Sequence, residues 1–88
     1  MRFNEWKPEW TLIDFPSLEP LVRVLEYWAK KYDKSNWKKP MDKNQIIDSL
    51  IRHLVRVMED EELDSESWLP HVWHILANAM FLSYHSKQ

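Results

Sequence analysis

Between residues 17 and 84 the apolar side chains recur at steps of three and four, and no stretch alternates with a period of two. That periodicity predicts amphipathic helices and no sheet. In the first helix Leu18, Leu21, Val22, Leu25, Trp28, Ala29 and Tyr32 form one stripe, with Ser17 as the expected N-cap and Glu19 and Pro20 in the opening turn. The second carries Ile47, Leu50, Ile51, Leu54, Val57 and Met58, and Asp42 with Gln45 three residues later reads as a capping box. The third carries Leu69, Val72, Trp73, Leu76, Ala79 and Met80, with Ser67 as its expected cap and Pro70 in its first turn. The expected helices run over about 17–33, 42–59 and 67–84. Residues 1–16, with Trp6, Pro8, Trp10 and Pro16, read as an irregular arm held by its aromatics. The expectation is a single all-α domain over 1–88: three helices and an N-terminal arm.

Composition adds limits. An 88-residue chain has one core at most, yet 44% of its residues are apolar and six are tryptophan. The surplus predicts a helix-mediated dimer or higher oligomer, or a bound ligand. Cysteine is absent, which removes disulfide and thiolate chemistry and suits a reducing compartment. No leader pattern is visible, and no apolar run nears the roughly 20 residues needed to span a bilayer. A soluble protein of the cytoplasm, without membrane contact, is therefore expected. Glycine is absent too, so neither a P-loop nor a dinucleotide fingerprint can form. The net charge of −2 argues against bulk nucleic-acid binding, although the charges are segregated. Lys30, Lys31, Lys34, Lys38 and Lys39 gather before the second helix; Glu59, Asp60, Glu61, Glu62, Asp64 and Glu66 gather after it.

Candidate chemistry lies where the second helix meets the third. Residues 71, 74 and 78 share one helix face, so His71, His74 and Asn78 form a polar row among apolar neighbours. Such a row is expected to be buried and paired, or to point into a cleft. Three readings stay open at this level. His71 and His74, completed by His53 or a carboxylate, could hold zinc. Carboxylates of the acidic stretch could hold Mg²⁺ while Arg52 and the lysines take phosphate charge. The row could also simply close a hydrogen-bond network between helices. Trp28 and Trp73 sit on core stripes, whereas Trp37 and Trp68 sit on loops where they could stack on a purine. Tyr84 and His85 read as surface or interface residues.

The order of residues narrows this. Arg52-His53-Leu54, then Glu61-Glu62-Leu63-Asp64-Ser65-Glu66-Ser67, then Leu69-Pro70-His71, His74 and Asn78, resembles the phage dATP/dGTP diphosphohydrolase family. That family's pattern runs R-H-L, a gap, G-E-D-x-D-x-E-S-G-L-P-H-L, then His and Asn. Lys30-Lys31-Tyr32 and Asn36-Trp37 resemble its K-K-Y-G…N-W segment, so the similarity covers about Lys7 to Leu82. Trp28, Asp33, Asp60 and Trp68 stand where the family usually has glycine. The resemblance implies an all-helical fold akin to the MazG-like pyrophosphohydrolases, and release of pyrophosphate from purine deoxynucleoside triphosphates. It implies His53, Glu66, His71, His74 and Asn78 as catalytic residues and Glu61 and Asp64 as ligands of Mg²⁺. Lys31, Asn36 and Arg52 would lie near phosphate, with Trp37 and Trp68 beside the base. The alternative is a catalytically inactive phage module that binds a nucleotide, or a host protein whose activity it obstructs.

Overall fold

The computed structural model describes residues 6–86, and the first five residues of the arm lie outside it. Three α-helices carry the fold: α1 over Glu19–Lys31, α2 over Lys43–Met58 and α3 over His71–Ser86. Short 3₁₀ turns occupy Trp10–Leu12, Phe15–Leu18 and Asn36–Lys38, and the described residues form no strand.

Helix α1 starts two residues later than expected, because Phe15–Leu18 winds as a 3₁₀ turn directly into it. Ser17 caps nothing: its hydroxyl turns back to the Asp14 carboxylate. Arg23 bridges Glu19 and Glu26 at 3.0 and 3.1 Å on the exposed face. Helix α2 opens on its expected cap residue, with the Asp42 carboxylate accepting the Asn44 amide at 3.0 Å. Its end is a Schellman turn, in which Glu61 N–H reaches the Arg56 carbonyl (2.9 Å) and Asp60 N–H the Val57 carbonyl (3.0 Å). Asp60 occupies the left-handed position at φ 63°, where glycine is usual.

The chain then folds into a tight loop closed by a bridge between Leu63 and Pro70. Asp64 N–H donates to the Leu69 carbonyl and His71 N–H to the Glu62 carbonyl, at 2.9 and 2.8 Å. Trp68 is the second described residue with positive φ, at 62°. Helix α3 therefore begins at His71, four residues beyond its expected start. Ser67 is spent inside the loop, where its hydroxyl accepts the Leu69 amide.

Val24 of α1, Ile46 of α2 and Ala77 and Phe81 of α3 are buried, with Leu21, Leu25, Trp37, Met41, Trp73 and Leu82 packed around them. Helices α1 and α2 each rest on α3 rather than on each other, so a cleft opens between them with α3 as its floor. The apolar surplus is largely on the surface. Trp6 and Trp10 are 75% and 65% exposed, so the described part of the arm is not held by its tryptophans. On α2, Ile51, Leu54, Val55 and Met58 form an exposed stripe. Tyr84 and His85 are partly buried rather than on the surface: Tyr84 meets the Trp37 ring edge-on, and His85 Nε2 donates to the Trp37 carbonyl at 2.6 Å. Among the described residues no helix is long and apolar enough to cross a membrane.

Candidate nucleotide site

The cleft has a volume of about 820 Å³. Its floor is the polar row of α3, its two walls are α1 and α2, and the 61–66 loop closes one end. The row is buried as its spacing implied, with His71 at 3% exposure and His74 and Asn78 at 8% each.

His71, at the first turn of α3, is held from both sides. Its Nε2 lies 3.0 Å from Glu61 Oε2, and its Nδ1 lies 2.8 Å from Nδ1 of His53. A carboxylate only accepts, so Nε2 carries the proton; in the neutral ring Nδ1 is then the acceptor and His53 Nδ1 the donor. His53 also stacks parallel to His74, centroids 4.6 Å apart. His74 Nε2 pairs with the Ser67 hydroxyl at 2.6 Å. Burial pushes His53 down to about 4, helped by the neighbouring His74, and burial likewise lowers His74. Asn78 spends its amide on the His74 carbonyl (2.9 Å) and Ser49 Oγ (3.3 Å), which ties α3 to α2.

The loop carboxylates divide their work. Asp64 accepts the amides of Ser67 and Glu66 at 2.8 and 3.1 Å. Burial would raise its pKa, but the Ser67 amide and hydroxyl, His74 and the Glu66 amide outweigh that and hold it below the ordinary value. Glu66 reaches across to α1, where it accepts from the Lys31 ammonium and from the Tyr27 hydroxyl at 2.7 Å. Lys31 first, then Tyr27, lowers the Glu66 carboxyl, and Glu66 in turn raises Lys31. Arg52 and Arg56 line the α2 wall, Arg56 lying 3.3 Å from Glu59 and 4.0 Å from Glu61.

The fold thus brings together nine of the residues singled out from sequence: Lys31, Arg52, His53, Glu61, Asp64, Glu66, His71, His74 and Asn78 all line the cleft. It does not bring in three others. Trp37 stacks on Phe81 at 5.4 Å and is part of the core, so it is no wall for a base. Asn36 opens the 3₁₀ turn that carries Trp37 and does not line the cleft. Trp68 is 71% exposed and likewise absent from the lining. The aromatic wall is instead made by the half-buried Tyr27 and Trp28, with Phe81 buried behind them, none of which sequence reasoning singled out as site residues. Tyr27 had a signal: it lies four residues before Lys31 and so shares its face of α1. Trp28 and Phe81 had none, since a core stripe and a cleft wall use the same spacing.

Ligand atoms of His53, Asp64 and His71 lie within 4.8 Å of one another. Mg²⁺, the ion the resemblance implies, takes oxygen ligands in octahedral geometry. Two imidazoles and one carboxylate fit it poorly, and Glu61, its other expected ligand, is committed to His71.

A curated dATP/dGTP diphosphohydrolase of Salmonella phage PMBT28 is 28% identical to the chain over 82 residues. The match covers 93% of this chain but 28% of that relative's length. No solved structure matches. The family model described as dATP/dGTP diphosphohydrolase, N-terminal, matches residues 1–88, and the chain belongs to that family.

Proposed function

We propose that the cleft binds a purine deoxynucleoside triphosphate, dATP or dGTP, and that hydrolysis there yields the monophosphate and pyrophosphate. The observation that carries this reading is a single opening lined by cations from both walls (Lys31 on α1, Arg52 and Arg56 on α2) and by an imidazole–carboxylate cluster at its floor. The cations would bind the triphosphate, and Tyr27 and Trp28 would take the base. The volume suits such a guest, because ligand clefts run to roughly 300–1,000 Å³. In hydrolysis, water attacks the α-phosphorus and the bond to the oxygen bridging α and β breaks. That oxygen leaves with its electron pair in pyrophosphate, and a water proton passes to the cluster and on to solvent. Ser67 holds the His74 ring in position and Asn78 ties α3 to α2, both rather than touching substrate.

Incubating the chain with dATP or dGTP, with Mg²⁺, Mn²⁺ and Zn²⁺ in separate runs, tests the proposal by chromatography of the products. Monophosphate and pyrophosphate in equal amounts support it. A second reading is a binding module without turnover, aimed at a nucleotide or a host protein. The pairing of Lys31 with Glu66 favours it, since one cation and one carboxylate of the cleft neutralise each other. That reading gains if nucleotide raises the melting temperature with no product formed; saturation at a hundredfold over Kd is worth about 2.7 kcal/mol. If neither turnover nor stabilisation appears, the nucleotide assignment fails.

A further inference from the structure

We infer that His53, Asp64 and His71 form a binding site for a borderline transition ion of the zinc or cobalt class, not for magnesium. The inference concerns the ion alone and stands whether or not the cleft turns over a nucleotide.

Three separate segments deliver the donors. His53 comes from the last two turns of α2, Asp64 from the loop and His71 from the start of α3, and their ligand atoms converge within 4.8 Å. Two imidazoles and a carboxylate make a set that suits Zn²⁺, Co²⁺ or Fe²⁺. The geometry is close to what such an ion needs. Nitrogens each about 2.0–2.1 Å from a tetrahedral ion stand about 3.3 Å apart. The two Nδ1 atoms are now 2.8 Å apart in an N–H···N bond, so the rings need to part by roughly half an ångström, which rotamer adjustment supplies. Binding then puts the ion in place of the shared proton, and His53 stays neutral by carrying that proton on its Nε2 instead.

Support behind the donors is the stronger argument. A metal-bound histidine characteristically donates its other ring N–H to a carboxylate, which fixes the tautomer and raises basicity. His71 does this through Nε2 to Glu61, and that leaves Nδ1 aimed at His53. Asp64 is oriented by two backbone amides on one oxygen. Glu61 is therefore a positioning residue instead of a ligand. His74 stands outside the set because its Nε2 is engaged by Ser67. His53 and Asp64 are only partly buried and both line the cleft, which leaves the ion's remaining positions open to water or to a phosphate oxygen.

The test uses the metal-free chain without nucleotide. Cobalt(II) is titrated in and followed by visible absorption, with Zn²⁺ and Mg²⁺ as competitors. One equivalent of Co²⁺ giving d–d bands, displaced by stoichiometric Zn²⁺ and untouched by millimolar-scale Mg²⁺, supports the site. No bands, or displacement by Mg²⁺ as readily as by Zn²⁺, overturns it. Because the wild-type titration decides the question, no variant has to fold for the inference to fail. Variants then assign the residues, each first checked for an unchanged helical spectrum. His53→Gln and Asp64→Asn should abolish the bands. Glu61→Gln should weaken Co²⁺ about 10–100-fold, as loss of an outer-shell partner does. Glu26→Gln, on the exposed face of α1 and outside the cleft lining, should leave affinity unchanged. Full affinity in both His53→Gln and Asp64→Asn would sink the assignment.

Discussion

Residue 60 closes α2 in a left-handed conformation, and what that conformation costs can be worked out and measured. For an L-residue the left-handed region costs roughly 1–2 kcal/mol, with aspartate near the lower end because its short polar side chain is tolerated there. Asp60 also adds negative charge at the negative end of the helix dipole, beside Glu59 and Glu61; an exposed charge so placed costs about 0.3 kcal/mol. Asp60→Gly removes both terms but gives the unfolded chain more freedom, which offsets about 0.4–1 kcal/mol. The net gain is about 0.5 kcal/mol, or about 2–4 °C in Tm for a domain of this size. Asp60→Ala keeps the unfavourable φ and loses the aspartate's tolerance of it, so it should fall about 0.5–1 kcal/mol below the wild type.

Thermal melts by far-ultraviolet circular dichroism, with urea midpoints as a second measure, should rank the three proteins Gly, Asp, Ala. A glycine variant melting below the alanine variant would show that backbone strain is not what residue 60 contributes. The experiment bears on the site as well, because this turn sets the direction in which Glu61 leaves α2 to meet His71.

Three further outcomes are expected. Phe81, 2% exposed and in contact with both Trp28 and Trp37, anchors the core; Phe81→Ala should cost about 3–5 kcal/mol and leave little cooperative melting, whereas a loss below about 1 kcal/mol in urea would contradict that placement. Acid should weaken the metal-free chain. Burial lowers His53 from 6.5 to about 4, so the unfolded state binds more protons between those values; the contribution is full above 6.5 and lost as pH falls toward 4. Screening through the open side of the ring limits it to on the order of 1 kcal/mol, and a Tm that holds or rises from pH 7 to 5 in a chelator would refute the sign. Lys31→Gln should weaken dATP binding, more so at low salt, while Trp37→Phe should lower stability and leave dATP affinity alone; calorimetry showing the reverse pattern would return Trp37 to the site.

Features decided within a few residues of chain were legible in the sequence. Asp42 caps α2 because an aspartate side chain reaches the amide two residues on whatever else the protein does. The left-handed turns at Asp60 and Trp68 fall at two of the four positions where the family pattern has glycine, so the backbone demand was visible although the residue types hid it. Ser67 was misread because a hydroxyl that could cap a helix serves equally well inside a loop, and only the Leu63–Pro70 bridge decides between them. Trp37 carries a related ambiguity. A tryptophan on a loop packs or stacks according to which side chain lies beneath it, and here that is Phe81, 44 positions later.

The imidazole cluster itself follows from a simpler fact. Helix α2 ends at Met58 and α3 begins at His71; the connection is folded back by the Leu63–Pro70 bridge, and the helices run antiparallel, with His53 against His71 and Ser49 against Asn78. An antiparallel hairpin lays the last turns of one helix beside the first turns of the next, so His53 must meet His71 and His74. The loop between them then has nowhere to place Glu61 and Asp64 except over that junction. What α1 adds is the opposite wall, Tyr27, Trp28 and Lys31, brought in by packing on α3 and latched to the loop through Glu66. The proposed ion site thus lies within one hairpin, while room for a guest depends on a third helix. Substitutions on α1 should therefore change what the cleft accepts without changing which ion it holds.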